Sequence, residues 1–308
     1  MSILVPAGVG SDVLAGRLRS MTAGDPVVVR VRDRPSRDAL VVAPAGASTT
    51  AALADALLDP HDDVAVERFW RERARPMALR LAGIDGSSPV PPVLRDHDPA
   101  WCDIAQRLVA RLALALGAAG LDRGDVGYEH IGSTAVPGLR AKPFVDLQLG
   151  VPALPDEGAP FDVVLLACGY LPAVGARPDS PGVHRDLPMF PGACPDADYR
   201  KRLFFRPDPA APVILHVRRR GTPWHDYPLR FRDLLRSSPE HRRAYEQVKV
   251  AAAAAHADDD YDDYTRAKGD VIRAALVDTG CAPGAWERLA PWPVTPPRDE
   301  LLDPFRGG

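Results

Sequence analysis

One stretch constrains this chain more than any other: Tyr128-Glu-His-Ile-Gly-Ser-Thr-Ala-Val-Pro-Gly138, followed closely by Lys142-Pro-Phe-Val-Asp-Leu-Gln-Leu-Gly150. A short β-rich run enters a Gly-Ser turn, and a second apolar run then carries one carboxylate, Asp146, at its centre. The small Gly132-Ser133 turn lets backbone N–H groups approach a phosphate at a helix start. A carboxylate on the adjoining strand is placed to hold the metal that neutralises that phosphate. The pattern predicts an α/β fold with a phosphate-handling site at the mouth of two strands.

Composition narrows the class. At 308 residues the chain is long enough for one large or two modest domains. Its formal net charge of −3 gives no bulk attraction to nucleic acid or to an anionic membrane. No apolar run approaches the roughly 18–20 residues a membrane span needs. The opening Met1-Ser-Ile-Leu-Val-Pro6 lacks the basic region and cleavage site of a signal peptide. Cys102, Cys168, Cys194 and Cys281 are scattered without Cys-x-x-Cys spacing, which reads as reduced thiols in a cytoplasmic protein. Arginine is the default cation; the four lysines are Lys142, Lys201, Lys249 and Lys268.

Residues 1–60 alternate as α/β: strands at Ile3–Val5, Val27–Val31 and Ala39–Ala43, a helix fragment at Val13–Leu18, and a helix from a Ser48 cap through Leu58, stopped by Asp59-Pro60. A longer helix is expected over Val64–Ala82. The turn-rich run from Gly83 to Pro92 reads as a linker. Beyond it, Asp98-Pro99 opens a helix whose Ile104, Leu108, Leu112 and Leu116 form one apolar stripe, ended by Gly117 and Gly120. Strand, Gly-Ser turn, short helix and the Asp146 strand follow. A crossover at Phe161–Leu166 leads to a hairpin-like pair, Arg202–Arg206 and Val213–Arg218. Helices at Pro228–Ser237, Pro239 to about Ala255, and about Tyr261 to Val277 close the region, and 282–308 forms a proline-rich tail. The expected division is 1–84, a linker at 85–92, 93–281 and the tail.

The Tyr128–Gly138 run resembles the signature of the GrpB family, a group similar to nucleotidyltransferases. Further blocks agree in order and spacing: Arg200-Lys-Arg-Leu203, Leu215-His-Val217, Gly221-Thr-Pro-Trp224, Phe231-Arg-Asp-Leu-Leu-Arg236, Tyr245 with Lys249, and Tyr264 with Lys268. The resemblance spans roughly residues 90–280. It implies a nucleotidyltransferase-like mixed sheet flanked by helices, a bound nucleoside triphosphate with Mg²⁺, and nucleotidyl or phosphoryl transfer to an unknown acceptor. The alternatives are a non-catalytic module that stabilises or regulates a protein partner such as a dephospho-CoA kinase and, behind it, residual dephospho-CoA kinase activity in CoA biosynthesis.

Active nucleotidyltransferases carry two carboxylates at i and i+2 of one strand, because alternation puts both on one face, and a third on a neighbour. Here the pair reads Asp146-Leu-Gln148, and the candidate third position presents His216. One Mg²⁺ on Asp146 with phosphate and water ligands remains compatible. The candidate set is therefore Asp146 and His216 for chemistry, and Gly132, Ser133, Lys142, Lys201 and Arg202 for phosphate. Each has a plain counterpart. Asp146 could pair with Arg140, His216 could be a satisfied core histidine, Ser133 a helix cap, and Lys142 a solvated loop residue. Lys201 and Arg202 sit in a basic run with Arg200 and Arg206, of which strand alternation lets at most two reach any one phosphate. Only one of Glu129 and His130 can point toward the site. Arg218-Arg-Arg220 reads as a solvated strand end, Trp224 and Phe231 as packing, and Arg232, Asp233 and Arg236 as charges paired at helical spacing.

The N-terminus repeats the phosphate theme in altered form. Ile3-Leu-Val-Pro-Ala-Gly-Val-Gly-Ser-Asp-Val-Leu-Ala-Gly-Arg-Leu18 resembles the strand, glycine loop and helix of a P-loop kinase, with Ser11-Asp12 where the phosphate-reading Lys-Ser/Thr pair would stand. Asp38–Ala43 and Arg68–Pro76 are similar to parts of dephospho-CoA kinase, which occurs fused ahead of GrpB domains in actinobacteria. The segment is under half the length of such a kinase, so the resemblance implies a shortened, inactive relic.

Overall fold

The first 84 residues build their own parallel sheet. In the computed structural model, which describes residues 1–32, 37–46, 50–84, 93–174, 182–186 and 195–255, strands β1 (Ser2–Pro6), β2 (Val28–Arg32), β3 (Leu40–Pro44) and β4 (Ala56–Leu58) lie in the order β2-β1-β3-β4. All three pairings are parallel. Parallel strands need covering on both faces, which is why β1 and β3 read as unbroken apolar runs; Ile3, Leu4, Val5 and Leu40 to Ala43 are fully buried. Helix α1 (Ser11–Met21) contributes Leu14, Ala15 and Leu18 to that core.

The expected helix from Ser48 to Leu58 is not formed. A 3₁₀ turn at Thr50–Leu53 gives way to strand β4, which occupies the open edge of β3. Propensity lost here to a vacant pairing edge. Ser48 itself lies outside the described residues. The helix expected at Val64–Ala82 is present as α2 (Asp63–Phe69), a π turn (Trp70–Ala74) and α3 (Arg75–Leu81), with Asp62 capping its start by accepting from the Ala65 N–H at 2.9 Å. The π turn admits Pro76, whose ring an uninterrupted α-helix would not accept.

The second sheet is mixed, in the order β5-β6-β9-β8-β7, with β5 Gly127–Ile131, β6 Val145–Val151, β7 Leu171–Pro172, β8 Lys201–Arg206 and β9 Val213–Arg219. β6 and β9 are parallel; the other pairs are antiparallel. Alternation divides its two faces. Leu147, Leu149, Val213, Leu215 and Val217 turn toward α4 (Ala100–Ala118) and α5 (Pro160–Ala167), where the stripe residues Leu108, Leu112 and Leu116 meet them. Asp98 opens α4 as expected, its Oδ1 accepting from the Ala100 N–H at 2.9 Å. The opposite face carries the polar residues and is covered by α6 (Pro223–Ser237) and α7 (Pro239–Ala255). α6 starts five residues before the expected Pro228, because Thr222 supplies the cap, accepting from the His225 N–H at 3.2 Å, and Pro223 fills the first turn. The helix expected after Tyr261, the tail, Tyr264 and Lys268 lie outside the described residues.

The two sheets are joined by buried charges. Arg206 and Asp208 are fully buried and bonded to one another at 2.6 Å, and Asp208 also accepts both ends of the Arg73 guanidinium at 2.9 and 2.7 Å. Asp55 receives Arg111 and, at 3.3 Å, Arg206, while Arg206 donates to the Ala39 carbonyl at 2.9 Å. Burial alone would raise the Asp55 pKa, but the Arg111, Arg206 and Arg73 guanidiniums hold it well below the usual carboxylate range. The N-terminal segment is thus fastened to the second sheet by three arginines and two aspartates.

Candidate functional site

The turn between β5 and β6 sets the site. Gly132 has φ 73° and ψ −170°, a conformation reserved for glycine. An added methyl there would stand 2.8 Å from the Asp146 Cβ and closer still to its Oδ2. Glycine is needed twice over, for its dihedrals and to let the carboxylate press against the turn. Ser133 begins a 3₁₀ turn, Ser133–Ala135, and lines the same cavity as Tyr245 of α7, whose hydroxyl burial pushes up to about 12.

A cavity of about 270 Å³ opens on the polar face of the sheet between these residues and α6. Gly132, Ser133, Asp146, Lys201 and His216 all line it, so five of the seven candidate residues converge. Its remaining wall includes Arg218, Tyr227, Phe231, Arg232 and Tyr245. Lys142 does not line the cavity. Arg202 does not either: it sits on the opposite face of β8 and makes two bonds to Asp162 of α5, at 2.5 and 2.7 Å. Strand alternation separates it from Lys201.

The charges around the cavity are mostly committed. Arg218, which reads in sequence as a solvated strand end, is buried and grips Asp186 with Nε and Nη2 at 2.7 and 2.8 Å. Lys201 donates to the same carboxylate at 2.9 Å. Burial opposes ionisation of Asp186, yet Arg218 and Lys201 hold its pKa far below the usual value; burial lowers that of Lys201. Glu129 accepts from Arg232 at 2.9 Å, and Arg232 also holds Asp233 at 2.7 Å. Gln148 is fully buried, donating to the His225 carbonyl at 3.0 Å and accepting from Arg218 at 2.7 Å. Gln148, where a second metal-binding carboxylate would stand, is therefore a strut between the sheet and α6. Among the described carboxylates lining or bordering the cavity, Asp146 alone has a histidine rather than an arginine or lysine within ion-pairing distance, with His216 Nε2 at 3.6 Å from its Oδ1.

His216 is oriented by Arg218, whose Nη2 lies 3.3 Å from Nδ1. Arginine only donates, so Nδ1 accepts and the ring proton resides on Nε2, the nitrogen nearer Asp146. Burial, with help from the Arg218 and Lys201 charges, pushes the His216 pKa down to about 4; burial does the same to His130, also to about 4, which contacts Thr134 at 3.1 Å. Both rings are neutral at pH 7. In the unfolded chain histidine ionises near 6.5. The stabilisation from keeping them neutral is therefore complete above pH 6.5 and is lost as pH falls from 6.5 toward 4. Each histidine contributes a slope of up to about 1.4 kcal/mol per pH unit in that window. We expect urea midpoints to fall between pH 7 and pH 5, and His216→Gln to flatten that fall; an unchanged slope would remove His216 from the account.

Trp224 and Phe231 both pack against aromatic neighbours, and Phe231 also lines the cavity. Trp224 is buried with its ring 5.1 Å from Tyr199, and Phe231 meets Tyr245 edge-on at 5.0 Å. Asp186 was not legible as a site residue, since it falls in an irregular segment with no periodic signal. In the N-terminal glycine loop, the Ser11 hydroxyl donates to the Pro6 carbonyl at 2.5 Å, and a Cβ at Gly10 would stand 2.9 Å from Pro60 Cγ.

The model of the GrpB family, described as GrpB protein, matches residues 91–277. The chain belongs to the GrpB family. This GrpB chain is 37% identical over 211 residues to a UPF0157 protein of Streptomyces coelicolor, covering 68% of this chain and 96% of that protein. It is 32% identical over 249 residues to the dephospho-CoA kinase of Mycolicibacterium paratuberculosis, covering 77% of this chain and 59% of the kinase. The chain thus spans less than two thirds of that kinase's length. A solved structure of GrpB from Enterococcus faecalis aligns with 61% of this chain and 99% of its own, at 23% identity and a TM-score of 0.42. The GrpB domain stands behind a segment similar to dephospho-CoA kinase. No helix among the described residues is long and apolar enough to cross a membrane.

Proposed function

We propose that the GrpB-domain cavity binds a magnesium nucleotide. The observation that carries this reading is Asp146: its side chain is 27% exposed and opens beside the Gly132-Ser133 turn, with no arginine or lysine within ion-pairing distance among the described residues. A lone carboxylate facing a phosphate repels it unless a cation stands between them. The donor set suits one hard cation, held by Asp146 and completed by phosphate oxygens and water. It does not suit two, because Gln148 is spent as a strut, His216 is held neutral, and the described residues gather no group of three or more metal-binding side chains. A bound magnesium ion would supply charge neutralisation of the phosphates.

The chain's own groups divide the remaining work. The Gly132-Ser133 turn and the Ser133 hydroxyl contact phosphate, and His216 presents an Nε2–H donor beside Asp146. The apolar wall of Ile131, Leu203 and Phe231 limits water around them. Nothing in this arrangement replaces the missing carboxylates as a general base, so the reading favours binding with slow or no nucleotidyl transfer. The N-terminal segment lacks the phosphate-reading lysine, and Ser11, where that pair would stand, is spent on Pro6. We read it as a kinase relic without phosphoryl-transfer activity.

Calorimetric titration with ATP, GTP, CTP and UTP, with and without Mg²⁺, tests the site. We expect magnesium-dependent binding that falls at least tenfold in Asp146→Asn. Equal binding without Mg²⁺, or in Asp146→Asn, would contradict it.

A further inference from the structure

Three donors from β8 and β9 converge on one carboxylate, that of Asp186, behind the cavity lining. Lys201 Nζ, Arg218 Nε and Arg218 Nη2 lie 2.9, 2.7 and 2.8 Å from the oxygens of Asp186. A guanidinium fork beside an ammonium is the geometry that recognises phosphate as readily as carboxylate. Both cations also line the cavity that contains Gly132, Ser133 and Asp146. We propose that Lys201 and Arg218 form a phosphate subsite of this cavity, and that Asp186 fills it as an internal anion which a ligand phosphate displaces. The proposal rests on the nucleotide-site reading and specifies how the ligand's anionic end is held.

Two features favour displacement over a permanent ion pair. First, the cradle sets two positive charges against one carboxylate, so a more highly charged phosphate is the better match. Second, Asp186 does not belong to the sheet. It comes from an irregular segment pinned by an isolated bridge, Arg185 to Arg200, with Asp186 N–H donating to the Tyr199 carbonyl at 2.8 Å and Lys201 N–H to the His184 carbonyl at 2.9 Å. Lys201 and Arg218 are instead fixed on paired strands opposite one another. The cations are rigid and the anion is carried by the weaker element.

A structural triad and a displaceable anion differ in what Asp186→Asn does. The full chain would be titrated with inorganic pyrophosphate and with ATP in Mg²⁺, as wild type, Asp186→Asn and the double variant Asp186→Asn/Arg218→Gln. Removing the competing charge should tighten binding of both ligands by about tenfold or more, since like-charge opposition in a desolvated site costs at least that factor. The double variant should lose the gain. Unchanged or weaker binding in Asp186→Asn, with wild type still binding magnesium ATP, would overturn the subsite and leave the nucleotide reading standing. Absence of binding in every variant would overturn both. If Asp186→Asn does not fold, amide exchange in the wild type decides: saturating magnesium ATP should speed exchange at Asp186 and Lys201, and slower or equal exchange would refute displacement.

Discussion

Asp55→Asn should destabilise the whole protein by about 3–5 kcal/mol, the usual cost of removing one partner from a buried ion pair. Asp55 lies in the N-terminal segment, with its side chain 3% exposed, and faces Arg111 and Arg206 of the GrpB domain as well as Arg73. Its loss takes one carboxylate from Arg111, Arg206 and the partly buried Arg73, and Asp208 pairs with only the last two. The amide could still accept the Val41 N–H now bonded at 2.9 Å, so the effect isolates the charge rather than the backbone contact. Because the network joins both sheets, urea unfolding should show one transition in the wild type and an earlier one in the variant. Two separate transitions in the wild type, or a variant within about 1 kcal/mol of it, would show that the segments fold independently.

Gly132→Ala should damage stability and ligand binding together. A side chain at φ 73° and ψ −170° carries a strain of about 1–3 kcal/mol. The added methyl also meets the Asp146 side chain directly, so the carboxylate must move. We expect a urea midpoint shift of corresponding size and loss of magnesium-dependent nucleotide binding. Stability close to wild type would mean that the turn relaxes without cost and that the close approach of Gly132 to Asp146 is incidental.

Local patterning carried much of the architecture. The four-residue stripe of Ile104, Leu108, Leu112 and Leu116 predicted α4 and the face it buries, and the Gly132 turn and the Asp146 strand were readable from composition and order. Sequence alone offers both Lys201 and Arg202 to the phosphate, whereas in the fold Lys201 lines the cavity and Arg202 turns to Asp162 of α5. What sequence could not display were pairings across the chain. Arg218 looks like the end of a solvated strand until Asp186, 32 residues earlier, is folded against it. Asp55 and Arg206 are 151 residues apart and give no periodic signal. The segment after Ser48 has helical composition, yet an open strand edge at β3 claims its end as β4. Gln148 was readable as a missing carboxylate but not as a strut between Arg218 and the His225 carbonyl.

The central claim is that one divalent cation enters the GrpB cavity at Asp146 together with a nucleotide. Its most direct measurement replaces Mg²⁺ with paramagnetic Mn²⁺ and follows methyl signals by NMR in the presence of ATP. The account predicts strong, nucleotide-dependent broadening of the cavity methyls of Ile131, Leu203 and Ile214, with those of Ile3 and Leu14 in the N-terminal core untouched. Broadening centred on the N-terminal sheet, or cavity methyls that stay sharp at saturating Mn²⁺ and ATP, would contradict it.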